Sequence, residues 1–195
     1  MERLPRSFFE RYTPLVAKEL LGMRLVRVDG GERMAGMIVE TEAYRGRRDP
    51  ASHAFRGRTR RNEVMFGPAG HAYVYFAMGA HFCLNVTTEE EGTAGAVLVR
   101  AIQPFEGIER MEKNRGVKEV VRLASGPGNL TRALGIDRSL NGEDMISSKR
   151  LWIETGWKIR KIGVSSRVGI GAGTSFGWRF YSRENPFVSR GKPSG

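Results

Sequence analysis

The chain has 195 residues, 40% hydrophobic and 27% charged, which excludes a disordered chain and allows one sizeable buried core. Lysine and arginine number 32 against 21 acidic residues, a net charge of +11 that points to a polyanionic partner, nucleic acid above all. A lone cysteine, Cys83, excludes an internal disulfide framework, no apolar run reaches membrane-span length, and no hydrophobic stretch follows Met1–Arg6; the expectation is an intracellular protein of the cytoplasm, nucleoid or nucleus, without membrane segment or signal peptide.

In chain order, Thr13 to Gly22 carries helix punctuation: Thr13 as N-cap, Pro14 at the first helical position and Gly22 past the end. Leu15, Val16, Leu20 and Leu21 supply its apolar stripe. Met23 to Val28 reads as a strand, and Asp29-Gly30-Gly31 as a tight reversal into a second strand at Met37–Tyr44. Side chains in a strand alternate faces, so Glu40, Glu42 and Tyr44 project to one side. Two readings stand there. The glutamates mark a solvated strand end, or a carboxylate beside an aromatic ring serves as a general base next to a platform for a flat substrate.

Arg45 to Pro68 is polar, basic and punctuated by Gly and Pro, with Arg45, Arg47, Arg48, Arg56, Arg58, Arg60 and Arg61 crowded into it. Long loops in compact domains are commonly functional, and this one is suited to holding phosphates. On spacing alone His53, within it, reads as a surface histidine. No second His or Cys stands at a metal-ligand interval, so a zinc site is not expected.

Gly70 to Val86 reads as two β segments around a turn at Ala77–Ala80. Tyr73 and Tyr75 share a face, Asn85 is a polar group that needs partners, Cys83 is a small buried residue, and Met78 is an exposed apolar tip. Such a tip is either incidental or a wedge between stacked bases. Ala94 to Ile102 is a mostly apolar strand in which Arg100 requires an anionic partner. Helices are expected over Pro104–Asn114, Val117–Ala124 and Asn129–Leu134, then a turn at Asn141-Gly142 and strands at Leu151–Glu154 and Trp178–Tyr181. The glycines of Ser166–Gly173 lack the strand–helix setting of a dinucleotide fingerprint and instead permit close backbone approach. Ser189–Gly195 is expected to fray. With neither repeat nor linker, residues 1–195 form one α+β domain.

Several ordered segments together carry a resemblance: Ile38-Val39-Glu40-Thr41-Glu42-Ala43-Tyr44, His53, Arg61-Asn62 with Met65-Phe66, Tyr73-Val74-Tyr75 with Phe82-Cys83 and Asn85, Leu98-Val99-Arg100-Ala101, Ser125-Gly126-Pro127, and Arg167-Val168-Gly169-Ile170-Gly171. From about Leu4 to about Ser189 the chain resembles the alkyladenine (3-methyladenine) DNA glycosylase family. The resemblance implies a curved, mostly antiparallel sheet with helices around it and a protruding β-hairpin. By position Glu42 matches the catalytic base that deprotonates the attacking water, and Arg100 the arginine that helps hold that water. Tyr44 and Tyr75 match aromatic walls of a flipped-base pocket, His53 the opposing wall, and Tyr73 a tyrosine beside it. Asn85 matches the asparagine that limits entry of guanine. Met78 falls where the human member of the family has an intercalating tyrosine. No lysine nucleophile matches. The expectation is a monomeric, monofunctional, cofactor-free hydrolase acting on duplex DNA that contains damaged purines of the 3-methyladenine, 7-methylguanine, hypoxanthine and ethenoadenine class. The rivals are a non-catalytic binder of damaged or bent DNA and, more remotely, an RNA-binding protein.

Overall fold

Two short helices, α1 (Arg6–Phe9) and α2 (Thr13–Glu19), lead into β1 (Arg24–Asp29) and the 14-residue β2 (Glu32–Arg45) in the computed structural model, which describes residues 1–191. After the basic loop come β3 (Ala72–Ala77), β4 (His81–Thr87) and β5 (Gly95–Glu106). Three helices follow, α3 (Ile108–Arg115), α4 (Val120–Leu123) and α5 (Pro127–Ala133), then β6 (Leu151–Glu154), β7 (Ile162–Ser165) and β8 (Arg179–Ser182).

The strands form one curled antiparallel sheet in the order β3-β4-β5-β2-β1-β6, with β8 also on β2 and β7 on β8. The architecture is α+β, as the sequence implied. β2 has one edge on β5 along its length, while its other edge is divided: Glu32 to Met37 pair with β1, and Glu40 to Glu42 pair with β8. The sheet therefore forks at Glu40. Thr41 and Ala43 are buried on the face toward α2, where the Thr41 hydroxyl donates to the Ala17 carbonyl at 2.7 Å. Val16, Leu20, Ile38, Val99, Leu130 and their neighbours close the main core between sheet and helices. Strand alternation past Val39 thus commits Glu40, Glu42 and Tyr44 to the other side.

Some boundaries differ from the sequence reading. Thr13 does not cap α2: Tyr12 is the N-cap residue, and the Thr13 amide and hydroxyl both donate to Glu89 Oε1, at 2.9 and 2.7 Å. A carboxylate far along the chain replaces the local cap. The helix expected from Pro104 starts at Ile108, because β5 continues to Glu106 with Pro104 paired to Gly36. Proline lacks an N–H but is tolerated where its other edge has no strand to serve, and β4 pairs only with the first residues of β5. The helix expected over Val117–Ala124 is reduced to α4, and α1 and β7, too short to announce themselves, are additional. The expected fraying fails at Ser189, whose amide and hydroxyl donate to Glu40; residues 192–195 lie outside the described residues. Among the described residues no helix is long and apolar enough to cross a membrane.

Candidate active site

Glu40, Glu42 and Arg100 meet because both central strands carry an extra residue at the same level. Ile38 pairs with Ile102 but Glu40 with Ala101, so Val39 is unmatched on β2; Thr41 then pairs with Val99, so Arg100 is unmatched on β5. Paired bulges of this kind re-aim side chains. Here they turn the Arg100 guanidinium onto the carboxylates: its Nε donates to Glu40 Oε1 at 2.8 Å, and its Nη1 lies 3.4 Å from Glu42 Oε2. The anionic partner that Arg100 required is this pair of acids.

Glu42 is fully buried. Its Oε2 accepts from the Tyr44 hydroxyl at 2.8 Å and its Oε1 from the Val168 amide at 2.7 Å. Val168 belongs to the glycine-containing stretch, so the close backbone approach expected of that stretch is an approach to Glu42. Tyr44, Arg100 and Val168 all line a cavity of about 720 Å3, which places the carboxylate immediately behind the cavity wall. Each carboxylate oxygen offers two lone pairs, so Oε1 can accept from a small molecule as well as from the Val168 amide.

The cavity is also lined by His53, Tyr73, Tyr75, Asn85 and, at its lip, Met78. His53 is exposed at the rim while its ring meets Tyr75 edge to face, with centroids 4.5 Å apart. Nothing as thick as a base fits between these two rings; they form one wall rather than opposing walls. His53 Nδ1 and the Tyr73 hydroxyl are hydrogen-bonded at 2.9 Å. Asn85 is buried, and its Nδ2 donates to the Tyr73 carbonyl at 3.0 Å, which supplies the partner its burial demands. Met78 is 89% exposed at the tip of the β3–β4 hairpin. Its φ of +48° and that of +65° at Gly79 put both central residues in the left-handed region, closed by the Ala80 amide donating to the Ala77 carbonyl; this is the turn whose twist suits a hairpin.

Burial sets the protonation of the lining. It raises the Tyr44 hydroxyl well above its ordinary range, with the Glu42 charge adding to it, and raises Tyr75 far up as well. Tyr73 is pushed up to about 12 by burial against the opposing pull of Arg61. Burial and then the Arg61 charge lower His53. At neutral pH the wall is therefore uncharged: protonated tyrosines and a neutral imidazole. Arg100 is pulled down by burial, but the Glu42 and Glu40 charges outweigh this and hold it above its usual value.

Sequence reasoning gave no place in the pocket to several residues now found at the site. Arg61 lines the cavity, with its guanidinium 5.6 Å from the Tyr75 ring centroid. Arg167 is fully buried, paired to Asp49 at distances of 2.6 and 2.7 Å, and sits 4.6 Å from the Tyr44 ring centroid. Arg132 lines the cavity from α5 and donates to the Ala80 carbonyl at 3.2 Å, bracing the hairpin tip. The crowd of arginines near Glu42 was a usable signal for Arg61; Asp49 and Arg167 lie too far apart in sequence to advertise their pairing. Among the described residues no group of three or more His, Cys, Asp or Glu could hold a metal ion.

The chain matches the methylpurine-DNA glycosylase family over residues 7–186. A relative from Carboxydothermus hydrogenoformans is 50% identical over 189 residues, covering 96% of this chain and 98% of its own. Others come from Chlorobaculum parvum, 46% identical with 97% and 91% covered, and from Methanocella arvoryzae, 46% identical with 99% and 98% covered. All three are provisionally named 3-methyladenine DNA glycosylases. The buried acid–arginine cluster thus sits in a chain akin to DNA glycosylases from end to end, and a catalytically silent binder gives way to an enzyme: the chain belongs to the methylpurine-DNA glycosylase family and is a DNA glycosylase.

Proposed function

We propose that the enzyme flips damaged purines out of duplex DNA and hydrolyses their N-glycosidic bond with a water activated by Glu42, leaving an abasic site. The observation that carries this reading is the position of the Glu42 carboxylate, fully buried yet bonded to Tyr44 and Val168 on the wall of an aromatic cavity. A base in a duplex is out of reach until it leaves the stack, and damage that weakens pairing lowers that cost. Met78 enters the gap left behind. The extruded purine stacks between Tyr44 on one side and the joined His53–Tyr75 wall on the other, with Tyr73 behind them. Ring faces also favour the positive charge carried by 3-methyladenine and 7-methylguanine, and the uncharged tyrosines and imidazole of the wall do not oppose it.

As the C1′–N bond breaks, positive charge grows on the sugar. Glu42 stabilises that charge and takes the proton from water, while Arg100 helps hold the water. The water's oxygen becomes bonded to C1′ and the bonding electrons leave with the base. No lysine enters the scheme, so no Schiff base forms with the sugar and the enzyme is monofunctional. Asn85, locked by its bond to the Tyr73 carbonyl, limits entry of normal guanine, whose exocyclic amino group it meets.

The test is excision from duplexes carrying hypoxanthine, 3-methyladenine or ethenoadenine, followed by alkaline cleavage at abasic sites. We expect strand breaks at one or more lesions. Glu42→Gln is expected to lower single-turnover excision by about 100-fold or more, the share a general base supplies, while lesion-duplex binding is largely kept. Full excision by that variant refutes the assignment of the base. Absence of breaks at every lesion refutes the substrate class.

A further inference from the structure

Glu40 is fully buried and charged, and the proton transfer to Glu42 makes no direct use of it. Its Oε1 accepts from Arg100 Nε at 2.8 Å, Arg179 Nε at 2.7 Å and the Ser189 hydroxyl at 3.0 Å, and its Oε2 accepts from the Ser189 amide at 2.7 Å. Burial alone would raise the carboxyl's pKa; the Arg100 and Arg179 charges, with hydrogen bonds from Arg179 and Ser189, reverse this and hold it below its usual range. A buried ion cluster is weak evidence for stability, since apolar residues of similar volume often serve as well. The arrangement therefore invites a reason beyond folding.

The reason lies in Arg100. Its contact with Glu40 is a true hydrogen bond, whereas its approach to Glu42, at 3.4 Å, is an ion pair without one. Arg100 Nη2 also donates to the Ser189 hydroxyl at 3.4 Å. The same segment then passes so near that a Cβ on Gly191 would lie 2.7 Å from Val168 Cγ1 and 3.2 Å from Arg100 Nη2. Were Glu40 uncharged, the guanidinium would be free to close into a two-pronged pair with Glu42, the geometry arginine and carboxylate prefer. That would occupy the lone pairs a water needs.

We propose that Glu40 is a positioning residue: it holds Arg100 beside Glu42 but not on it, and through Ser189 it makes the C-terminal segment part of the reaction centre. This rests on the roles proposed above for Glu42 and Arg100. Glu40 acts through Arg100, so the effects of removing the two do not multiply.

The experiment measures single-turnover excision and lesion-duplex affinity for Glu40→Gln, Arg100→Ala and the double variant, with urea unfolding to verify folding. Glu40→Gln is expected to slow excision about 10–100-fold, the usual loss when an outer partner of a reacting group is removed, at unchanged affinity. The double variant is expected to be no slower than the slower single one. A normal rate for Glu40→Gln, or rate losses that multiply, overturns the proposal. Should Glu40→Gln fail to fold, Ser189→Ala carries the test. It deletes the hydroxyl shared by Arg100 and Glu40, and we expect a rate about threefold lower at unchanged affinity; an unaltered rate overturns the proposal equally. If Glu42→Gln and Arg100→Ala both excise at full rate, the proposed reaction centre itself fails. If they are slow and Glu40→Gln is not, only the positioning role does.

Discussion

On the proposed reading, Asn85 selects the substrate without touching the bond that breaks. It is 3% exposed, and its amide is pinned to the Tyr73 carbonyl, so it cannot swing aside to admit a larger purine edge. Asn85→Ser removes that bulk. On the proposed reading this variant loses normal guanine from undamaged duplex about 10-fold faster, the scale on which a pocket discriminates by one or two atoms. Counting alkali-labile sites at guanine over time tests this, and an unchanged background would remove Asn85 from the selection. At this scale the shared face of Glu42 and Tyr44 and the need of Arg100 for an anionic partner were accessible from sequence, because strand alternation and burial cost both operate locally. The Asp49–Arg167 pair, fully buried beneath Tyr44, was not: a pairing that closes over the entire middle of the chain leaves no periodic trace.

On the proposed reading, the β3–β4 hairpin is the element on which recognition of a lesion turns. Gly79 and the period-two pattern announced the hairpin, and the structure adds that Met78 itself takes a left-handed backbone and that Arg132 of α5 props the turn. Methionine is apolar but offers no flat ring to the neighbouring bases. Met78→Tyr is therefore expected to slow dissociation from lesion duplex about fivefold or more, from added base stacking. A stopped-flow dissociation rate equal to that of the parent protein would count against insertion of the tip. The helices were less legible than the strands. α2 takes its cap from Glu89 rather than from its own first residue, and β5 runs through a proline because its outer edge is free there. Both outcomes depend on neighbours that sequence pattern does not specify.

Over the whole molecule, charge governs the encounter. The net charge is +11, and Arg47, Arg48, Arg56, Arg58, Arg60 and Arg61 are all exposed on the loop that follows the site. Arg45, by contrast, is held by Glu89 at 3.1 Å and lies against Tyr12. Exposed cations that meet phosphates release counterions, about 0.9 for each phosphate neutralised on duplex DNA. Replacing Arg58 and Arg60 with alanine should reduce the slope of log affinity against log salt by about 1 for every phosphate no longer neutralised, with little change in single-turnover rate at saturating enzyme. A slope that does not move would assign phosphate binding to another surface. Such arginines can be read from composition; that Arg61 is the one to reach the cavity lining cannot, since the loop has no repeating pattern to fold by.

The unmatched valine on β2 has an arithmetic consequence. Val39 has no partner on β5, yet it sets the parity of everything after it. Met34 and Ile38 face the core before it and Thr41 and Ala43 after it, so an uninterrupted alternation running on from Ile38 would have sent the two acids toward α2; the extra residue switches the count and leaves them facing the cavity. In this enzyme, the count of residues before the acids matters as much as the acids themselves.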